Sequence, residues 1–547
     1  MELLVNIFGL LSVLLRGLVL VGTVTTVGGI AFQALLVRPL RTSLGCFAGP
    51  VEVRSRRLLR FSAAGLALAV ATEVAVELAV LVGTTDLSLR EAAGAGFVHA
   101  GAVAFLAALV TAILAGRRGI WPLLPAAALL VGAVVATSHA AARPEDRGLL
   151  LVLTALHHAG AAVWVGGIPF LVGTLALVGT HPVWARIGRR FSWMAVGAVS
   201  ALLTGGIGMA IVYIGGPSGL IGTAYGVMLA TKTLMAVSML GLGLLNYRLV
   251  ARALRSMEAP AIRLRRFAEV EVGIGMTVLF AAASLTSLPP AVDLMHDRVT
   301  WQDIAERLEP RWPSFATPAH DSLGIPRLQA ALEGEGLRQD GAAPPTFVPG
   351  GGMAPPRNDA DIAWSEYNHH WAGLIVLFMG LMSLLEKAGP APWARNWPLL
   401  FLGLAGFLLV RADPESWPLG NVGFLESFRE PEVAQHRLFV VLIAAFALFE
   451  WGVRTGRLRA PWMVLVFPLV CAVGGGLLLM HSHSLTNARE ELLIEITHAP
   501  LALLGVAAGW ARWLEIRLPE GDRRIPALVW PVCFVLVGLV LLDYREA

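Results

Sequence analysis

Residues 148–177 read GLLLVLTALHHAGAAVWVGGIPFLVGTLAL, a run without a single Asp, Glu, Lys or Arg. A helix needs roughly 20 apolar residues to cross the ~30 Å of bilayer hydrocarbon, and this run exceeds that length. Two adjacent histidines, His157 and His158, sit inside it. Working outward, comparable apolar runs occur at 4–34, 61–83, 93–115, 120–139, 191–215, 222–246, 267–289, 370–386, 397–411, 437–453, 461–480, 491–513 and 526–543. The chain has 547 residues, is 56% hydrophobic and only 15% charged, with a mean hydropathy of +0.69, far more apolar surface than a soluble globular protein of this length needs. These features predict an all-α fold, a polytopic transmembrane helical bundle of about 14 spans, arranged eight and six.

The polar stretch 290–366, with Pro344-Pro345 and Gly350-Gly351-Gly352, interrupts the pattern. It reads as an extracytoplasmic linker with one short amphipathic helix around Asp303–Leu308. The expected organisation is a membrane domain over 1–289, the linker over 290–366, and a second, His-rich membrane domain over 367–547. The first span carries Arg16 and shows no small-residue cleavage site, so it reads as a span and not as a removable signal.

Basic residues orient the chain. Arg54, Arg56, Arg57 and Arg60 follow the first span, and Arg117 and Arg118 the third. Arg186, Arg189 and Arg190 follow the fifth, Arg252, Arg255, Arg263, Arg265 and Arg266 the seventh, and the alternation continues at Arg454, Arg457 and Arg459 and at Arg517, Arg523 and Arg524. Every second connection is basic and is therefore assigned to the cytoplasm, which leaves both termini extracytoplasmic. The sequence pI near 9.2 follows from that topology and does not indicate nucleic-acid binding. The three cysteines form no CxxC pair, which argues against a disulfide framework or a thiolate metal site. No phosphate-binding loop occurs, so the chain supplies no ATP-driven step.

Threaded this way, every one of the 13 histidines except His181 lies toward the extracytoplasmic side. Imidazole is a common ligand for borderline and soft metals, and ionisable groups within a membrane are usually functional. In the first half, Ser138-His139-Ala140 ends span four, while His157, His158 and Trp164 lie in span five, with His157 and Trp164 seven apart on one face. A pair or triad of His139, His157 and His158 is a candidate metal site, the alternative being histidines that hydrogen-bond backbone and hold the bundle together. Met228, Lys232, Met235 and Met239 form one stripe on span seven. Thioethers suit monovalent copper, but methionine also fills core gaps. Lys232 is expected to pair with Glu73 and Glu77 of span two. Glu269 and Glu271 are read as interfacial salt-bridge partners, with Glu271 also a candidate relay.

In the second half, Met480-His481-Ser482-His483 follows span twelve, and Glu491, Glu495 and His498 share a face of span thirteen. His436 starts span eleven, and His369-His370 starts span nine. These helix ends are expected to converge in one metal-collecting mouth, with Met480, His481, His483, His436 and His498 as ligands. Glu491, Glu495, His369 and His370 would orient or relay.

Several of these residues resemble the copper-resistance D family of bacterial inner-membrane proteins. The resemblance is carried by Ser138-His139-Ala140, by His157 through Trp164-Val165-Gly166-Gly167, and by Tyr225-Gly226 leading to Lys232 and Asn246. It closes with Glu271 and Leu285-Thr286-Ser287-Leu288-Pro289-Pro290. It implies copper transport, usually thought of as uptake, across the bacterial cytoplasmic membrane, contributing to copper homeostasis and resistance beside a periplasmic copper carrier. On that reading the chain is not an enzyme; its cargo is a copper ion, Cu(I) or Cu(II), and its partners are that ion, the lipid bilayer and the carrier. Two other readings stay open: a redox protein holding haem b between His436 and His498 or between His139 and His157, and a copper-binding sensor or assembly partner that does not transport.

Overall fold

The computed structural model describes residues 2–117, 119–256, 260–294, 298–318, 359–389, 391–420, 422–429, 431–480 and 488–546. Among these residues there is no β-strand, and twelve helices are long and apolar enough to cross a membrane. Two further apolar helices, Leu123–Ala136 and Met463–Leu478, are shorter and occupy the positions of expected spans four and twelve. This is a multi-pass membrane protein; twelve is the count of full-length spans, against about 14 expected.

The chain divides into two compact units, residues 1–298 with 479–483, and residues 299–478 with 484–547. In the first unit, α1 (Glu2–Phe32) continues into a π-helical turn (Gln33–Val37). It is followed by α2 (Ala48–Thr84), α3 (Gly96–Leu114), α4 (Leu123–Ala136) and α5 (Arg147–Trp164). Then come α6 (Ile168–Val178), α7 (Val183–Ile214), α8 (Ala224–Ser256) and α9 (Ala261–Ser287). Helix α1 is the hub, packed on α2, α9, α5 and α4. Small residues make that possible: Ala104, Ala107, Ala108, Ala126, Ala133 and Ala162 are buried with Leu66, Val70 and Leu130 in one core. Small side chains let helix backbones approach closely where no hydrophobic force drives them together.

Two details refine the sequence reading. First, the span expected over 148–177 is one crossing, Arg147–Val178, whose helix is interrupted at Val165-Gly166-Gly167, between α5 and α6. The break lies where α1 and α5 nearly touch: a Cβ on Gly166 would sit 2.0 Å from the Val24 carbonyl oxygen, and one on Gly28 would sit 2.3 Å from that of Ala162. Second, the basic residues expected in loops lie on helices. Arg54, Arg56, Arg57 and Arg60 belong to α2, Arg186, Arg189 and Arg190 to α7, and Arg252 and Arg255 to α8. Arginine is a good helix former whose stem lies along apolar surface, so the helices run on past their apolar segments.

The second unit contains α10 (Trp301–Arg307), α11 (Asp359–Ala388), α12 (Leu400–Arg411), α13 (Pro431–Arg454), α14 (Val466–Leu478), α15 (Ala488–Arg517) and α16 (Arg524–Leu542). Helix α10 is the short helix expected in the linker; Thr300 caps it, accepting from the Asp303 N–H while the Asp303 carboxylate accepts from the Thr300 N–H. Helix α11 packs on α16 through Gly373, Gly380 and Gly538, and α14 packs on α15 through Gly475 and Gly509.

Beneath these helices lies a charged, aromatic-walled cluster that the sequence did not announce. Arg454 binds Glu450 at 2.7 Å and Glu386 at 2.9 Å, with its guanidinium 4.6 Å from the Trp397 ring centre and 5.3 Å from that of Trp530. Glu515 accepts from Arg512 at 2.6 Å, from the Trp530 indole at 2.6 Å, and from Lys387.

Replacing Gly166 with Val should cost about 3 kcal/mol or more, because the new side chain meets backbone atoms that cannot turn aside. The thermal unfolding midpoint of purified protein in detergent checks this. An unchanged midpoint would mean that α1 and α5 are not held together there.

Candidate metal centre

Helix α5 carries His157 and His158 inside its membrane-spanning length, with ring centres 5.9 Å apart and planes nearly perpendicular. Helix α7 forms the opposing wall. Gly205 and Gly206 leave room for His157, since a Cβ on Gly206 would lie 3.1 Å from its Nδ1. That nitrogen is 2.9 Å from the Leu202 carbonyl oxygen. Carbonyl oxygen only accepts, so Nδ1–H donates and the lone pair is left on Nε2. A ring nitrogen anchored to backbone while the other faces outward is the usual arrangement of a metal-ligating histidine.

Sequence reasoning passed over Met209. Its sulfur accepts a hydrogen bond from the Thr154 hydroxyl at 3.2 Å, one turn of α5 before His158. The only signal was the spacing of Met209 one turn beyond Gly205 on the facing helix. The expected stripe on α8 is buried at Met228, Met235 and Met239, and Met239 packs against Gly275 of α9. Met239 thus serves as packing between α8 and α9.

The expected pairing of Lys232 with Glu73 and Glu77 is not formed. Arg16 of α1 stands 3.6 Å from Glu73 and donates to the Thr137 hydroxyl and carbonyl at 2.9 and 3.0 Å. Helix α8 packs on α7 and α9, away from α2, so Lys232 lies instead within electrostatic range of His157 and His158. Glu269 pairs with Arg265 and Arg266 at 3.2 and 2.5 Å. Glu271 does not; it is buried, and the Asn246 amide donates to it at 2.5 Å. Trp164 is buried at the end of α5, beside the helix break.

His139 is not drawn into a ring contact with the His157–His158 pair. Helix α4 ends at Ala136, and the following turn sets the His139 ring 6.3 Å from Tyr213, at the end of α7. Its Nε2 is buried without a hydrogen-bond partner. Burial lowers the His139 pKa from its ordinary value, with Asp293 opposing the shift.

The second unit rearranges the expected mouth. His370 is consumed by backbone: Nδ1 accepts from the Ser314 N–H at 3.0 Å and Nε2 donates to the Tyr544 carbonyl at 3.0 Å. His436 is 2.6 Å from Asp413, on the side of α13 that meets α12. His498 instead meets His369, with ring centres 6.3 Å apart, across Tyr544, which stacks on His369 at 3.8 Å. The Tyr544 hydroxyl donates to Glu546 at 2.7 Å. Tyr544 and Glu546 were missed because nothing in a chain terminus says which helices it folds against. Glu495 is buried. Met480 belongs to the first unit, where it is buried in an apolar cluster with Val13, Leu20 and Ala283. His481 and His483, together with the Glu491 side chain, lie outside the described residues.

Among the described residues, no three His, Cys, Asp or Glu side chains converge to hold a metal ion. The first unit therefore offers an imidazole pair with a thioether one turn away, and the second unit an imidazole pair with a tyrosine.

Residues 185–285 match the family described as CopD, copper resistance protein D. That segment takes in most of α7, all of α8 and most of α9, and with them Met209, Lys232, Asn246 and Glu271; His139, His157, His158 and Trp164 precede it. The chain is also similar to the copper transport protein CutJ of Bacillus subtilis (strain 168), 31% identical over 258 residues, which is 43% of this chain and 46% of the relative. The chain thus spans about half the length of the curated relative it matches. No solved structure matches. These findings support a membrane protein of the copper-resistance D kind, as the motif residues suggested.

Replacing His370 with Ala strands the Ser314 N–H and the Tyr544 carbonyl, at a cost of about 1–3 kcal/mol each where buried. The expected outcome is a lower thermal midpoint with copper content unchanged, read by mass spectrometry of the purified protein. Loss of copper with an unchanged midpoint would return His370 to the ligands.

Proposed function

We propose that this chain transports copper across the bacterial cytoplasmic membrane, in the direction of uptake, and so contributes to copper homeostasis and resistance. The observation that carries the reading is the His157–His158 pair, set within a span, with His157 Nδ1 anchored on the Leu202 carbonyl and its Nε2 lone pair left over. Imidazole with a nearby thioether suits copper over the hard cations, which want oxygen. The similarity to a copper transport protein points the same way.

Copper arrives from the extracytoplasmic side, where His481 and His483, outside the described residues, are the proposed first capture point and a periplasmic carrier the donor. It then reaches His157 and His158, with Met209 as the added donor. Lys232 lies within electrostatic range of this position. A copper ion beside an ammonium group places two positive charges together in a low-dielectric interior. Release of the Lys232 proton as Cu(I) binds keeps the local charge constant, and Glu271, held by Asn246, is the next buried group able to take part.

The test is copper accumulation in proteoliposomes of the full chain. His157→Ala and His158→Ala should each lower the initial rate at least roughly tenfold, the effect of losing about 1.4 kcal/mol of binding or more. The double change His481→Ala with His483→Ala should raise the half-saturating copper concentration more than it lowers the maximal rate. Lys232→Met should flatten the pH dependence of the rate. Wild-type accumulation by folded His157→Ala protein would remove the pair from the path.

A further inference from the structure

The arginine-rich end of the first unit encloses a cavity of about 90 Å³ between the end of α1, the start of α2 and the α3–α4 connection. By the measure in which a single water needs ~10–15 Å³, it holds a small polyatomic group. Arg38, Arg41, Arg56 and Arg117 line it, against a single carboxylate, Glu52, which is taken up by Arg56 at 2.5 Å. Arg38 lies with its guanidinium 5.5 Å from the Trp121 ring centre, which leaves its edge N–H groups directed elsewhere. No hydrogen bond or ion pair engages the Arg41 or Arg117 side chain among the described residues. The lining therefore carries a large positive excess with unused donors.

A second observation, independent of charge, comes from Gln33. It also lines the cavity, is 5% exposed, and its amide nitrogen Nε2 is buried with no hydrogen-bond partner. A buried, unpaired N–H donor is costly unless a ligand satisfies it. Gln33 opens the π-helical turn Gln33–Val37, a distortion frequent at functional sites. An amide donor and several guanidinium forks around a small volume match an oxyanion with several acceptor oxygens. Trp121, 67% exposed beside the cavity, is the kind of residue that sits at headgroup level.

We infer that this cavity binds a phosphate group, with Gln33 Nε2 and the guanidinium groups of Arg38, Arg41 and Arg117 donating to its oxygens. Two sources share that chemistry, the headgroup of an anionic phospholipid and free phosphate. Basic pockets between spanning helices commonly hold lipid phosphates. The site makes no use of the histidines and stands whether or not copper is the cargo.

Native mass spectrometry of the full chain, with phosphatidylglycerol or phosphatidylcholine added, distinguishes the lipid source. The thermal midpoint of delipidated protein in sodium phosphate reports the free anion. Preferential retention of phosphatidylglycerol, weakened roughly tenfold in Arg41→Gln/Arg117→Gln protein and in Gln33→Leu protein, establishes a headgroup site. A midpoint raised by phosphate alone, and lost in the same variants, establishes a free-phosphate site. Arg41 and Arg117 are exposed, so their double variant should keep the wild-type elution profile even where Gln33→Leu does not. If neither phosphatidylglycerol nor phosphate distinguishes that double variant from wild type, the inference is wrong.

Discussion

Close approach of helix backbones through glycine is the constraint on which the first unit depends. In lipid, the apolar effect gives helices no reason to prefer one another to the surrounding chains, so packing contacts must do the selecting. Gly28 of α1 and Gly166 at the α5–α6 break leave no space for a Cβ on either side. The same holds where Gly160 meets Ala198 and Leu202, and where Gly205 meets Leu153 and His157. Because α1 touches α2, α4, α5 and α9, its position sets theirs. The imidazole of His157 is thus placed by the absence of side chains on the helix opposite.

The break after Trp164 also changes how the histidines should be viewed. A continuous helix would satisfy its own backbone throughout; interrupted helices within membranes are tolerated where protein or a polar cavity surrounds them. Here the interruption falls two turns beyond His157 and His158, against α1, and the residues around it are buried. The imidazole pair therefore sits on a helix that ends inside the bundle, beside a second helix, α7, within the segment that matches the copper-resistance D family.

The spans were readable in the sequence because about 20 apolar residues in a row have few other uses. His157 and His158 stood out for the same reason, as polar groups where polar groups are expensive. The partnerships were not readable. Which helix lies beside which decided that Arg16 meets Glu73 and that α8, which carries Lys232, packs on α7 and α9, and no local pattern in α2 or α8 encodes that adjacency. His370 and His369 are neighbours in sequence with the same surroundings, yet Ser314 and Tyr544 take up the first while Tyr544 and His498 flank the second. Gln33 gave no signal, since a glutamine at the end of a span reads as an ordinary boundary residue. Asp413 likewise, in a turn after α12, showed no mark of being the partner of His436.

The Arg454 cluster of the second unit brings Glu386, Glu450 and Glu515 together with Lys387, Arg454 and Arg512, as many positive groups as negative. Each elementary charge carried through a full membrane voltage is worth about 2.3 kcal/mol per 100 mV. A set of ions that cancels internally feels almost none of that, so these six charged groups can gather among aromatic rings without responding to the membrane voltage.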